Sequence, residues 1–127
     1  SSIAKYVTKE VSIQSPASSI DVHLLANVKD ISNIQVLYRF KKASSQDNFE
    51  DIDWEYFNVD GSPDSFEIAT SENSISSIVE KQSSYQDLKY SVADLPEFSS
   101  FAVKIIMRGV DPSFVPKIQD IRAVASF

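Results

Sequence analysis

The sequence predicts an all-β protein, an antiparallel, jelly-roll-like β-sandwich of about eight strands. Apolar and polar residues alternate with a period of two along most of the chain, as expected where strand side chains point to opposite faces in turn. The apolar runs are short, and polar connections separate them. Evidence for helices is confined to short turns near residues 76–82 and 94–97.

Two alternating runs in the first third of the chain predict two core strands. In residues 20–28 the even-numbered positions are apolar, and Asp21 and His23 lie on the opposite face. Residues 34–40 alternate in the same way, with Arg39 on the polar face. Because only a short polar connection separates the two runs, we expect them to pair antiparallel.

A tight reversal is predicted in the middle of the chain. The pair Asp60-Gly61 and the nearby Pro63 are residue types that favour turns. They stand between two mostly apolar segments, residues 54–57 and 66–69. The chain therefore changes direction between these two segments.

The last third of the chain predicts the clearest core strands. Residues 101–107 alternate with four large apolar side chains on one face. A final strand is predicted over residues 118–127, where the alternation slips near Gln119. Such a slip predicts a β-bulge, in which one extra residue is inserted into a strand.

Length and composition favour one soluble domain, residues 1–127. At 127 residues the chain has the size of one domain, and its 43% hydrophobic fraction supplies a core without cysteine. The net charge of −6 disfavours a nucleic-acid partner, since a duplex-binding surface must offset phosphate charge. No segment has the apolar length of a membrane span, and we expect no membrane insertion. The chain begins almost inside a strand, so we expect a domain excised from a longer protein.

The sequence contains no recognisable set of catalytic residues. His23 is the sole histidine, and the alternation places it on the polar face of its strand. A serine nucleophile usually needs a base, which this histidine is poorly placed to supply. We therefore expect no enzymatic activity, no cofactor and no imidazole metal site. Three nearby carboxylates, Asp51, Asp53 and Glu55, are interpreted as solvated surface charge rather than as a hydrolytic pair.

Part of a calcium-binding pattern occurs at the predicted reversal. Asn58, Asp60, Gly61 and Glu67 match the later positions of a calcium loop, where oxygen ligands surround a sharp glycine turn. The first ligand position is Tyr56, which has no carboxylate. An ordinary hairpin turn explains the same residues, and this interpretation is favoured.

Three aromatic residues are candidates for ligand binding. Trp54 and Tyr56 share one face of a predicted strand, where two rings could form a platform for sugars. Tyr38 is a third candidate for such stacking. Aromatic side chains bury large apolar areas, so a place in the core is the favoured alternative for these residues.

Three pairs of segments carry a family resemblance: residues 6–13 with 20–28, 34–40 with 49–54, and 95–107 with 115–125. Together they resemble β-sandwich domains near the C-terminus of virion structural proteins in contractile-tailed bacteriophages, in tail, baseplate or fibre components. The last two strands are also similar to those of galactose-binding-like jelly rolls. The resemblance covers most of the chain outside residues 71–84, and its motifs are structural rather than catalytic.

The resemblance implies a non-enzymatic structural or binding domain of a virion, which acts through contacts with other virion proteins. It implies no ligand-binding residue, because the matching positions build the sheets. The alternative is a carbohydrate-binding module for host-surface glycans that uses Trp54, Tyr56 or Tyr38. A buried Trp54 favours the structural role, whereas an exposed row of aromatic rings favours sugar binding. The sequence leaves the oligomeric state open.

Overall fold

The computed structural model describes residues 2–27, 31–68, 85–109 and 117–127. These residues form two antiparallel sheets that make a β-sandwich, which confirms the predicted fold class. The strands are β1 (Ser2–Val7), β2 (Val11–Ala17), β3 (Ser19–Asn27), β4 (Ile34–Lys42), β5 (Glu55–Tyr56), β6 (Ser65–Ile68), β7 (Gln86–Val92), β8 (Phe98–Gly109) and β9 (Lys117–Ser126). Single 3-10 turns occupy Ile31–Asn33 and Phe49–Asp51.

Along the described strands, the chain crosses repeatedly from one sheet to the other. The first sheet has the order β1-β8-β4-β5. β2 also pairs with β8, at residues 98–101, whereas β1 pairs with residues 104–109 of β8. The second sheet has the order β6-β7-β3-β9. All neighbouring strands in the described part of the chain pair antiparallel. Each sheet is therefore built from segments that lie far apart in the sequence.

The core lies between the sheets and consists of the inward-facing residues that the alternation predicts. On β3 these are Ile20, Val22 and Leu24, each at most 1% exposed. On β8, Val103 and Ile105 are fully buried. Aromatic rings fill the space between the layers, since fully buried rings remove large apolar areas from water. The main ring contacts are Tyr38–Phe57, Phe57–Tyr90, Phe40–Phe98 and Phe98–Phe101.

The core holds one phenol whose polar end is not satisfied. Tyr90 is fully buried on β7, and its hydroxyl has no hydrogen-bond partner among the described residues. Burial raises the pKa of the Tyr90 phenol far above its ordinary value, because the phenolate would be desolvated. Burial of this unpaired hydroxyl therefore lowers the stability of the fold, and the raised pKa keeps the phenol protonated.

The expected pairing of residues 20–28 with residues 34–40 is wrong. β3 belongs to the second sheet, where it pairs with β7 and β9. β4 belongs to the first sheet, where it pairs with β5 and β8. Both strands bury one apolar face, so packing across the sandwich satisfies the same alternation as pairing side by side.

The predicted reversal is confirmed as a turn, although its flanking strands do not form a hairpin. Gly61 has φ 79°, and its backbone N–H donates to the carbonyl of Asn58 at 3.1 Å. A positive φ favours glycine, which has no Cβ to clash. β5 and β6, on the two sides of this turn, lie in different sheets. The turn thus carries the chain across the sandwich.

The predicted bulge in the last strand is confirmed. Leu25 pairs with Asp120 while Ala26 pairs with Ile118, so Gln119 is the extra residue of β9. The bulge returns the apolar side chains of β9 to the core side, because a shift by one residue changes the face of every side chain that follows.

The two predicted helical turns have different outcomes. Residues 76–82 lie outside the described part of the chain. Residues 94–97 form a bend rather than a helical turn, with Asp94 at φ 60° and the Leu95 N–H donating to the carbonyl of Ser18 at 2.9 Å. In the described residues, no helix has the length and apolar character needed to cross a membrane.

Candidate interaction surfaces

The outer face of the first sheet is covered by its own chain. Residues 43–54 follow β4 and fold back over this face, which we call the covered face. Leu37 on β4 and Ala102 on β8 point outward, yet they are 8% and 0% exposed. Phe49 from the covering segment is 6% exposed. All three are buried outside the central core cluster, so the cover creates a second, smaller apolar layer.

Arg39 holds the cover in place. Its guanidinium lies 4.6 Å from the ring centroid of Phe49 and 4.4 Å from that of Trp54. Its Nη1 donates to the carbonyls of Glu50 and Ile52 at 3.3 and 3.4 Å. Cations over aromatic faces and charge-assisted hydrogen bonds are both stabilising in a partly dry environment. The ion pair to the exposed Glu50 carboxylate, at 4.0 Å, adds little.

A second cation contacts the same indole. The Nζ of Lys104, on β8, lies 4.8 Å from the ring centroid of Trp54. Partial burial lowers the pKa of Lys104, and the positive charges of Lys5 and Arg39 lower it further. Trp54 therefore interacts with two side chains of the sheet beneath it, as part of the cover.

The structure separates the three aromatic candidates for sugar stacking. Tyr38 is 5% exposed and packs 4.8 Å from Phe57 in the core, so its proposed role as a stacking surface is wrong. Alternation already placed Tyr38 on the apolar face of its strand, and burial there leaves no ring face for a ligand. Trp54 is partly buried against Arg39. Tyr56 alone of the three is exposed, at 41%.

Tyr56 packs on a glycine. A Cβ added at Gly61 would lie 2.8 Å from Cδ1 of Tyr56, which is closer than real side chains allow. The absence of a side chain at Gly61 thus lets the Tyr56 ring rest on the backbone of the turn. The ring therefore packs against the turn at Gly61, while the side chain remains 41% exposed.

The oxygens of the calcium-like segment are used within the turn. Asp60 Oδ1 accepts hydrogen bonds from the backbone N–H of Ser62 at 3.0 Å and from its hydroxyl at 2.6 Å, and these bonds lower the pKa of Asp60. Asn58 donates to the carbonyl of Ser62 and to Asp64 Oδ1. Within the described ranges, no group of three or more acidic or histidine side chains is placed to hold a metal ion. The contacts agree with a turn, but the expected hairpin is wrong, because β5 and β6 lie in different sheets.

The outer face of the second sheet is open to solvent, and we call it the open face. Directly opposite residues of an antiparallel pair share a face and lie close together. On β3, His23 pairs with Lys89 on one side and with Arg122 on the other. These three side chains form one row across the sheet, and all three are exposed.

A second row lies beside the first on the open face. Leu25 pairs with Asp87 of β7 and with Asp120 of β9. The two carboxylates are exposed, whereas Leu25 between them is half-buried. Together with His23 and Arg122, these residues line a shallow depression of about 220 Å³. The open face therefore carries a cationic row and an acidic row side by side.

The sequence contains a signal for these rows that its interpretation missed. Asp87 and Lys89 stand two positions apart on one strand, as do Asp120 and Arg122 on another. Such spacing places each pair on one face, and the exposed Asp120 and Arg122 side chains approach to 4.0 Å. Which strands lie side by side depends on the sheet order, which alternation does not contain.

A third surface is the outer edge of the first sheet. Tyr6, Val7 and Val11 on β1 and β2 are 48%, 50% and 41% exposed. Both strands pair with β8 on their inner side. Exposed apolar side chains along a strand edge are suited to contacts with another protein.

Comparison with known proteins finds no matching family model, no matching curated protein and no matching solved structure.

Proposed function

We propose that this chain is a non-enzymatic structural and binding domain of a bacteriophage virion, part of a tail or baseplate protein, that acts through protein–protein contacts. The observation that carries the binding role is the open face, where charged side chains are exposed on a regular hydrogen-bonded sheet. Sites on such rigid elements keep their geometry on contact with a partner. The virion setting rests on the resemblance of the strand segments.

The use of the other polar groups supports the same proposal. Arg39 and Lys104 contact the aromatic rings of the cover, and Asp60 is bound within its turn. His23 is exposed in the middle of a sheet face, between two cations. A general base works beside the group whose proton it removes, and the residues paired with His23 here are Lys89 and Arg122.

The virion setting is tested by mass spectrometry of purified particles of the phage that encodes the chain. We expect peptides of the chain in intact particles, together with cross-links from its exposed lysines to other virion proteins. Particles treated with protease after purification serve as a control for protein that is merely adsorbed. Absence of the parent protein from purified particles contradicts the proposal.

A second candidate function, binding of a host-surface glycan, is supported by Tyr56. Its ring is 41% exposed and supported on one side by Gly61, which is a geometry suited to stacking against a sugar ring. A glycan array tests this candidate, with Tyr56→Ala as the variant that should lose binding. Tyr6→Ala, at an equally exposed tyrosine on the opposite sheet edge, is the matched control. An array without signal for the unmodified domain removes the candidate.

A further inference from the structure

We propose that the open face binds the open face of a second copy of this chain, with two-fold symmetry. This inference rests on the binding role proposed for the open face and names its partner, and it depends on the charges of that face rather than on the virion setting. The surface consists of the row His23, Lys89 and Arg122 and the adjacent row Leu25, Asp87 and Asp120.

The two rows are related in a way that makes the surface self-complementary. Within β7, β3 and β9, each row takes one residue from each strand, in the same order. At the sheet edge, β6 continues the two rows with Ser65 in register with Lys89 and Glu67 in register with Asp87. Consider a two-fold axis in the plane of the contact, parallel to the rows and midway between them. Rotation about this axis places each row opposite the other row of the second copy. Each strand then faces the same strand of the second copy. A two-fold interface uses the same patch on both copies.

The exchange puts unlike charges opposite each other. Lys89 of one copy faces Asp87 of the second copy, and Arg122 faces Asp120 of the second copy. Each of these contacts occurs twice, because the symmetry repeats it. His23 faces Leu25 of the second copy, so the imidazole lies against the half-buried leucine between the two acids.

The geometry of packed sheets accommodates this arrangement. Two sheets that pack face to face lie about 10 Å apart, with their strands rotated by about 30°. β7 and β9 are both immediate neighbours of β3, at about 4.8 Å. If the two sheets are rotated relative to each other about a point on β3, the Lys89–Asp87 and Arg122–Asp120 pairs are displaced only slightly. The displacement is within the reach of lysine and arginine side chains.

Charge balance favours this face over the rest of the surface for self-association. The whole chain carries a net charge of −6, so two copies repel each other at most orientations. Across β7, β3 and β9 the two rows contain the cations Lys89 and Arg122 and the anions Asp87 and Asp120, which cancel, and Glu67 of β6 adds one further acidic position at the edge. Complementary charge guides orientation and suppresses wrong pairings in protein association.

Charge reversal across the face tests the proposal. The double variant Asp87→Lys, Asp120→Lys makes both rows basic, and the double variant Lys89→Asp, Arg122→Asp makes both rows acidic. By sedimentation velocity we expect the unmodified chain to dimerise, each double variant alone to be monomeric, and an equimolar mixture of the two variants to form a heterodimer. The matched control, Asp47→Lys with Glu97→Lys, reverses two exposed acids outside the open face and should leave the dimer intact.

A second measurement does not depend on the folding of any variant. Carbodiimide cross-linking of a mixture of unlabelled and ¹⁵N-labelled wild-type chains should give Lys89–Asp87 links of mixed isotope composition, which only contacts between copies produce. Three results overturn the proposal: a wild type that stays monomeric up to about 1 mM, a dimer that persists in both folded double variants, or folded variants that do not associate when mixed. A monomeric wild type would not contradict the virion setting, which mass spectrometry of purified particles tests separately.

Discussion

The covered face and the open face arise from the same alternating pattern and differ in what the chain does next. On the covered face, residues 43–54 fold back and two of their aromatic rings contact Arg39. Leu37 on this face is buried. On the open face, Leu25 stays half-buried and Arg122 has a side chain that is 71% exposed. The comparison shows that a residue on the outer face of a sheet is not necessarily exposed to solvent. Its role depends on whether another segment packs over it.

Replacing the two outward leucines by alanine should give the largest difference between the faces. We expect Leu37→Ala to lower the free energy of unfolding by about 3 kcal/mol, because it removes packed methyl groups and leaves a cavity under the cover. Leu25→Ala should lower it by less than about 1 kcal/mol, since solvent already reaches that side chain. Urea denaturation of both variants measures the difference. Equal losses would mean that the cover adds no packing.

The two arginines should differ in the same direction by a smaller amount. Arg39→Met keeps an unbranched side chain but loses the cation–ring contacts and the bonds to two carbonyls, and we expect a loss of about 2 kcal/mol. Arg122→Met removes an exposed ion pair and should change stability by no more than about 0.5 kcal/mol. Thermal and urea unfolding check both values. Indole fluorescence should also change in Arg39→Met, because the surroundings of Trp54 change.

The smallest effect concerns the titration of Lys104 on the covered face. Burial and nearby positive charge place its pKa below the ordinary value of 10.5. Between that lowered pKa and 10.5, the unfolded chain binds more protons than the folded chain, so this lysine makes the unfolding free energy rise with pH. NMR titration of the Lys104 side chain measures the pKa. Lys5→Met should raise it, whereas Lys89→Met on the open face should leave it unchanged, and a value above 10.5 in the unmodified chain contradicts the account.

The sequence predicted those properties of the fold that depend on one strand at a time. Alternation identified the inward residues of β3, β4 and β8, and a local slip identified the bulge at Gln119. The pairing of β3 with β4 was predicted wrongly, because a period of two states which residues share a face but not which strand lies beside it. Sheet order is set by contacts between distant segments, such as Ser19 and Ser126, which are 107 positions apart.

The candidate surfaces were predicted less well than the strands, for the same reason. The exposed position of His23 followed from alternation alone. Its cationic neighbours Lys89 and Arg122 come from strands that lie far along the chain, so their row could not be assembled from the sequence. Tyr38 was weighed as a ligand residue because of its aromatic type, although its place on the apolar face favoured the core.

The pairing of β3 with β9 has a consequence for how the chain acquires its structure. During synthesis β3 emerges early, but its second neighbour is completed only when Ser126 has been added. Until then one edge of β3, with a fully apolar inner face, has no strand beside it from the described part of the chain. Folds dominated by such distant pairings reach their native state in about milliseconds to seconds rather than microseconds. The exposed edge makes this interval the period in which the nascent domain most needs protection from aggregation.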